Sequence, residues 1–431
     1  MIAAAVNAFR IPDLREKLIF TAAMLVVFRF IANVPVPGVN VEALRSLFES
    51  NQLIGMLNLF SGGALSSFSI AAMGVYPYIT AQIIMQLMVP VIPRLQELSN
   101  EGEAGRQKLN QLTHYLTVPL AFLQAFGTVQ FLNATSQQPI LPAFGFDHDI
   151  LGTLAILISM TAGTMLLIWL GELITQNGIG NGVSIIIFGG IVASLPQAAW
   201  KGIVAGTNYL GLAVFVLLGV ATTLAIVFVY EGQRRVPVQY ARRLRGNRWY
   251  GGGTTHIPLR VNSAGMIPLI FAQSIMIFPG TVASYFLGVQ NEFIAAFAKT
   301  VYELFYLGTS WLYWVLYFLL VVGFTFFYAL VLFEQQKIAE TLQKHGGFIP
   351  GIRPGRPTQE YLYKVLTRIT WGGAIFLGIV AVLPFLARHL TGIQALTLSS
   401  TALLIVVGVV LDTIKQLEAQ LLMRHYQGFI R

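Results

Sequence analysis

What most constrains this chain is the repetition of long apolar stretches without a single charged side chain: Ile150 to Gly171, Leu173 to Trp200, Gly202 to Tyr230 and Val261 to Asn291. A helix crosses the hydrocarbon core of a bilayer with about 20 predominantly apolar residues. Backbone groups inside lipid must also satisfy one another, which leaves helices or closed barrels as the spanning structures. Several such runs in succession specify a polytopic α-helical membrane protein. The composition agrees: 55% of the 431 residues are hydrophobic and 10% are charged, against roughly 25% charged in a soluble domain.

Charged residues set the limits of the runs. They place ten helices near 18–34, 74–93, 113–133, 150–171, 181–200, 209–230, 262–280, 309–333, 369–387 and 396–416. Arg10, Arg15 and Lys17 precede the first run, which continues through Arg29 without a small-residue cleavage pattern, so it is read as a retained span and not as a signal peptide. The absence of cysteine removes disulfides, thiolate nucleophiles and Cys-ligated metals.

An even number of spans puts both termini on one side. Short cytoplasmic segments accumulate Lys and Arg, and with cytoplasmic termini 22 of the 27 basic residues fall on that face. The opposite face keeps Arg45, Lys201, Lys299 and Arg388, together with Glu42, Glu49, Asp147, Asp149, Glu292 and Glu303. Residues 1–200 and 201–431 then form two five-helix halves of opposite orientation, an arrangement that often carries a pathway between the halves.

Four segments stand out against this frame. Leu53 to Gly74 is apolar but rich in Gly and Ser, and together with the Pro77-containing run behind it exceeds one crossing. It is either a re-entrant piece buried in the bundle or an external loop with an amphipathic turn. The loop 231–260 carries seven arginines against one glutamate. Topology alone explains a basic loop, but seven exceeds that need and favours a surface that attracts phosphates or acidic protein. Gly346 to Arg356 is a hairpin with two prolines and four internal glycines that holds Arg353 beside Pro354; it is built to present one arginine or is an ordinary solvated turn. Asn177-Gly178-Ile179-Gly180-Asn181-Gly182 opens the fifth span and lacks the spacing of a dinucleotide site.

Catalytic signatures are missing. There is no HExxH, GxSxG or GxxxxGK[ST] pattern, and the sole aspartate within an assigned span is Asp412. Ionisable residues deep in a membrane usually mark ion or proton pathways, and with Arg29 the clearest candidate inside a span, proton-coupled transport has little to work with.

Ordered motifs run along the whole chain: Phe28-Arg29-Phe30 with Val34-Pro35-Val36-Pro37-Gly38, Met73-Gly74-Val75-Tyr76-Pro77-Tyr78-Ile79-Thr80-Ala81, Gly178-Ile179-Gly180-Asn181-Gly182-Val183-Ser184, Arg234-Arg235-Val236-Pro237-Val238-Gln239-Tyr240-Ala241 and the Arg353 hairpin. In these the sequence resembles the SecY family, the pore-forming subunits of the bacterial protein translocase. The resemblance implies an all-α fold of ten helices in two pseudo-symmetric halves around an hourglass pore, with a lateral gate toward lipid. It implies a plug in the stretch Leu57 to Ala72, including Phe60, Ser61, Gly62, Gly63 and Ser66. It further implies an apolar pore ring, carried onto Val75, Ile79, Val183, Ile187, Ile270 and Ile405. Residues four apart lie on one helix face, so Val75 with Ile79 and Val183 with Ile187 suit a shared lining; taken without the family, such pairs are more often plain packing.

The same resemblance assigns Arg242, Arg243, Arg248 and Arg353 to docking of the motor ATPase SecA or of the ribosome and its RNA, and names SecE and SecG as membrane partners. Asn247 interrupts a basic run that some relatives carry, which weakens that part of the loop. The expected activity is a passive conduit in the bacterial plasma membrane for signal peptides and unfolded polypeptides, with lateral release into the lipid bilayer, no cofactor and no catalytic role. A secondary transporter would need paired charges or substrate ligands at mid-membrane, and an intramembrane hydrolase a nucleophile, metal or aspartate pair there; the spans carry neither set.

Overall fold

The computed structural model describes residues 11–40, 42–44, 63–135, 139–142, 144–145, 149–204, 209–240, 243–245, 248–250, 253–286, 292–305, 311–391 and 400–427. Thirteen longer helices appear among them. They are α1 (Pro12–Ile31), α2 (Tyr76–Met88), α3 (Pro93–Asn100), α4 (Glu103–Thr135), α5 (Ile150–Asn177), α6 (Gly182–Val204), α7 (Tyr209–Glu231), α8 (Ile267–Phe286), α9 (Glu292–Phe305), α10 (Trp311–Gln336), α11 (Ile338–Lys344), α12 (Arg356–Thr391) and α13 (Ser400–Gln427). A helix covers most of each of the ten apolar segments read from the sequence. Three helical stretches are long and apolar enough to cross a membrane among the described residues, Ile150–Asn177, Trp311–Lys344 and Arg356–Leu383, and α2 with α3 adds a further pair bent by 99° at the Val89–Ile92 break.

Local chemistry explains several ends. Pro12 opens α1, where a missing N–H costs nothing, and Asp13 in the first turn complements the helix dipole. Asp149 caps α5 by accepting from the Gly152 N–H at 3.1 Å. Gly74, at φ +56°, ends the irregular segment ahead of α2 in a conformation that a Cβ would disfavour. The helices α4 and α12 overrun the apolar limits because their charged first turns continue the helix.

The residues group into two compact units, one of 1–206, 277–310 and 409–431, the other of 207–276 and 311–408. In the first, α1, α4 and α6 pack around α5, and α2 packs on α4. An apolar cluster joins Val36, Ala43 and Leu44 to Leu65, Phe68, Ala72 and Met73, to Val129 and Leu132 of α4, and to Leu157 and Met160 of α5. In the second, α12 packs along α10 and also touches α7.

The expectation of an all-helical chain needs one correction. The second unit contains β1 (Gln233–Tyr240), β2 (Arg243–Arg245), β3 (Arg248–Tyr250), β4 (Thr254–Arg260) and β5 (Gly347–Phe348). β1 pairs antiparallel with β4, Val236 opposite Ile257, and on its other edge with β5, Gln239 opposite Phe348; β2 pairs with β3. The cause is visible in β1, where Val236 and Val238 are buried and their neighbours Arg235, Pro237 and Gln239 are exposed, the period-two pattern of a strand with one wet face.

Candidate functional site

The basic loops are the first site the structure assembles. β1 follows α7 directly and β5 sits in the Gly346–Arg356 hairpin, so the β1–β5 pairing puts two loops that are over a hundred residues apart into one sheet. Beneath the sheet, Val236, Val238, Leu259 and Ile349 share an apolar cluster with Phe333 of α10, Leu342 of α11 and Leu362, Val365 and Leu366 of α12. The opposite face is polar and carries Arg235 and Arg260, both exposed, while Arg234, also exposed, lies at the start of β1 across from Leu259. The platform is thus braced by the membrane helices and not by the loops alone.

Arg353 is exposed at the hairpin tip. Gly351 at φ +82° and Gly355 at φ +99° adopt backbone that favours glycine on both sides of it, and its carbonyl accepts from Thr358 Oγ at 2.8 Å, tying the tip to the first turn of α12. Arg243 and Arg248 lie on β2 and β3, whose register sets Arg243 opposite Tyr250 and Arg245 opposite Arg248. Arg242 lies outside the described residues.

The second site is the segment 63–75. Leu57, Phe60, Ser61 and Gly62 lie outside the described residues. From Gly63 onward the chain is a series of turns knitted to the stretch after α1. The Val36 N–H donates to the Phe68 carbonyl at 2.9 Å, the Ile70 N–H to Val34 at 3.0 Å, and Ser67 Oγ to the Ala32 carbonyl at 3.0 Å. Ser66 Oγ caps the turn by donating to the Gly63 carbonyl at 2.6 Å. Ala64, Phe68, Ser69 and Ala71 are each 0% exposed, and Ala72 is buried. This part is buried and hydrogen-bonded into its surroundings, unlike an external loop with an amphipathic turn. A Cβ on Gly63 would sit 3.7 Å from Nη1 of Arg29, so this arginine, in the last turn of α1, reaches the segment.

Val75 and Ile79 begin α2 one turn apart, joined by the Ile79 N–H donating to the Val75 carbonyl at 3.1 Å. Val75 is buried and Ile79 half-buried. Val183 and Ile187 repeat this spacing on α6, with Val183 half-buried against Gly171 of α5. Ile270 on α8 and Ile405 on α13 are buried and belong to the second unit, whereas the other four belong to the first.

One polar group escaped the sequence reading. Tyr78 Oη donates to Asn110 Oδ1 at 3.4 Å, Asn110 Nδ2 donates to Glu172 Oε1 at 3.3 Å, and His114 Nε2 lies 3.2 Å from the same oxygen. These residues come from α2, α4 and α5, and only the i, i+4 spacing of Asn110 and His114 hinted at a shared face.

The fold and these sites define a class: a multi-pass helical membrane protein with a sheet-braced basic platform and no grouping of His, Asp or Glu able to hold a metal among the described residues. Comparison with known proteins narrows it. The SecY family model matches residues 69–414. The chain is 45% identical over 449 residues to the protein translocase subunit SecY of Streptomyces galbus, covering 100% of both chains. Among solved structures it resembles one described as the structure of a protein conducting channel, with TM-score 0.63 and 16% identity over 94% of this chain and 92% of that one. It also resembles Sec61 in the canine ribosome-channel complex, with TM-score 0.61, 16% identity and the same coverage; at such identity both speak for the fold. The chain belongs to the SecY family. Its function is that of a protein-conducting channel subunit of the translocase, and the family is one of transport and not of catalysis.

Proposed function

We propose that the chain lets unfolded polypeptides cross, and signal peptides and hydrophobic segments leave sideways into lipid, through a pathway narrowed by Val75, Ile79, Val183, Ile187, Ile270 and Ile405. Apolar constrictions of this kind close by dewetting, which suits a conduit that must hold back ions at rest. In this reading ten spans form halves 1–200 and 201–431, both termini are cytoplasmic, the membrane is the bacterial plasma membrane, and Leu57 to Ala72 closes the resting path. SecE and SecG accompany it in the membrane, and SecA or the ribosome supplies the drive.

The observation that supports the docking part is the pairing of β1 with β5, which ties the hairpin that presents Arg353 to the strand that carries Arg234 and Arg235, over an apolar cluster. A fixed array of charge attracts acidic protein or RNA phosphate over several ångströms and steers encounter. The test is Arg353→Glu in SecA-driven export from inverted vesicles. We expect strongly reduced export at normal membrane abundance, with ordinary unfolding behaviour; unchanged export would remove Arg353 from the docking surface.

A further inference from the structure

The helix α9 has no role in this account. At 100° per residue its face divides three ways. Phe293 and Phe297, one turn apart, are 82% and 67% exposed. Lys299 and Glu303 are exposed on the adjoining flank. Tyr302, on the opposite side, packs against the apolar cluster that contains Leu157 and Met160 of α5, Leu141 and Phe144 from the segment before α5, and Phe68. Packing at Tyr302 therefore fixes which way the two phenylalanines point.

The same packing fixes depth. The cluster gathers Leu141 and Phe144, ahead of the Asp149 cap, with Leu157 and Met160 of the membrane-spanning α5, the last of them about 16 Å along its axis from that cap. A helix packed on that cluster lies near the Asp149 end of the span and not out in bulk water. The surroundings are already lipid-facing in character: Ile150, Leu151 and Ile158 of α5 are 56%, 81% and 59% exposed, and Val282 and Phe286, at the end of α8 shortly before α9, are 38% and 45% exposed. Two bulky aromatics beside a charged flank, at that level, match a helix lying in the membrane interface with its apolar side in the acyl boundary.

We propose that α9 is an interfacial helix that sets Phe293 and Phe297 into the lipid leaflet at the Asp149 end of α5 and holds the cluster around Phe68 against that leaflet through Tyr302. The occupant of this face is the bilayer itself. On the sidedness proposed above it is the outer leaflet, but the lipid contact does not depend on that sidedness.

The absence of native cysteine makes the test direct. Phe297→Cys, Phe293→Cys and Lys299→Cys are each spin-labelled in the full-length chain and reconstituted in phosphatidylcholine–phosphatidylglycerol nanodiscs. Accessibility to oxygen, which concentrates in lipid, is compared with accessibility to a water-soluble nickel chelate. Labels at 293 and 297 are expected to favour oxygen, with an oxygen-to-nickel ratio about threefold or more above that at 299. Nickel accessibility at 293 and 297 equal to that at 299 would place the face in water and overturn the proposal. Protection from both reagents at 293 and 297 would show a protein surface over them and overturn it equally.

Discussion

Phe68 offers a sharp test of the packing described for residues 63–75, because two effects at one residue predict an unusual order of variants. Its ring is 0% exposed in an apolar cluster, and its backbone sits at φ +41°, in the left-handed region where a Cβ costs about 1–2 kcal/mol. Phe68→Ala empties the ring site but keeps the Cβ, so it isolates packing, and burial of this degree sets the loss at about 3–5 kcal/mol. Phe68→Gly loses the same ring but releases the backbone strain, while adding about 0.5–1 kcal/mol of unfolded-chain entropy. Glycine should therefore be the more stable variant by up to about 1 kcal/mol, the reverse of the usual order. At roughly 2 °C per kcal/mol for a body of this size, thermal unfolding in detergent should fall by about 6–10 °C for alanine and by 1–2 °C less for glycine. Both variants should also raise the ion leak of proteoliposomes, since the segment is knitted into the bundle through Val36 and Ile70. An alanine variant as stable as glycine, or a loss below about 1 kcal/mol for both, would refute the reasoning.

Gly163 of α5 faces the Ile70 carbonyl so closely that a Cβ would overlap it; Gly163→Ala should force the 63–75 segment away and cost several degrees in the same unfolding assay. Gly219, with nothing within 4 Å of its added Cβ, is the contrast, and Gly219→Ala in α7 should be neutral or stabilise by up to about 1 kcal/mol. Gly355→Ala, at φ +99°, should distort the hairpin while leaving Arg353 in place, lowering SecA-driven export without lowering membrane abundance. The Arg356–Glu360 pair, 3.4 Å apart but 90% and 62% exposed, should matter little, and Glu360→Gln should change stability by less than about 0.5 kcal/mol.

How much of this was legible differs by element. The membrane helices announce themselves because spanning demands uninterrupted apolar sequence, and Ile150 to Gly171 is found within α5 as read. The sheet was hidden for a different reason. Seven arginines made 231–260 read as a basic docking loop, although Val236 and Val238 alternate with exposed neighbours and Ile257 and Leu259 repeat the pattern in β4. The pairing partner at Gly347 and Phe348 is remote in sequence, and no local rule could have supplied it. Charge-delimited boundaries also hid α9, since Glu292, Lys299 and Glu303 mark a loop under that criterion, while the Phe293–Phe297 spacing marks a helix. The polar contact of His114 with Glu172 needed α4 and α5 in register. For the ring, spacing gave helix faces, and the residues are found buried or half-buried as packing alone would also require.

The central claim is that polypeptide passes along Val75 and Ile187. Single cysteines at these positions in the otherwise Cys-free chain can be probed with a stalled secretory nascent chain carrying one photo-reactive or thiol-reactive group, using Leu224→Cys, on the exposed side of α7, as the lipid-facing reference. The account predicts crosslinks to 75 and 187 that require active translocation, and little or none to 224. Crosslinks absent from 75 and 187 during active translocation, or no stronger there than at 224, would contradict it.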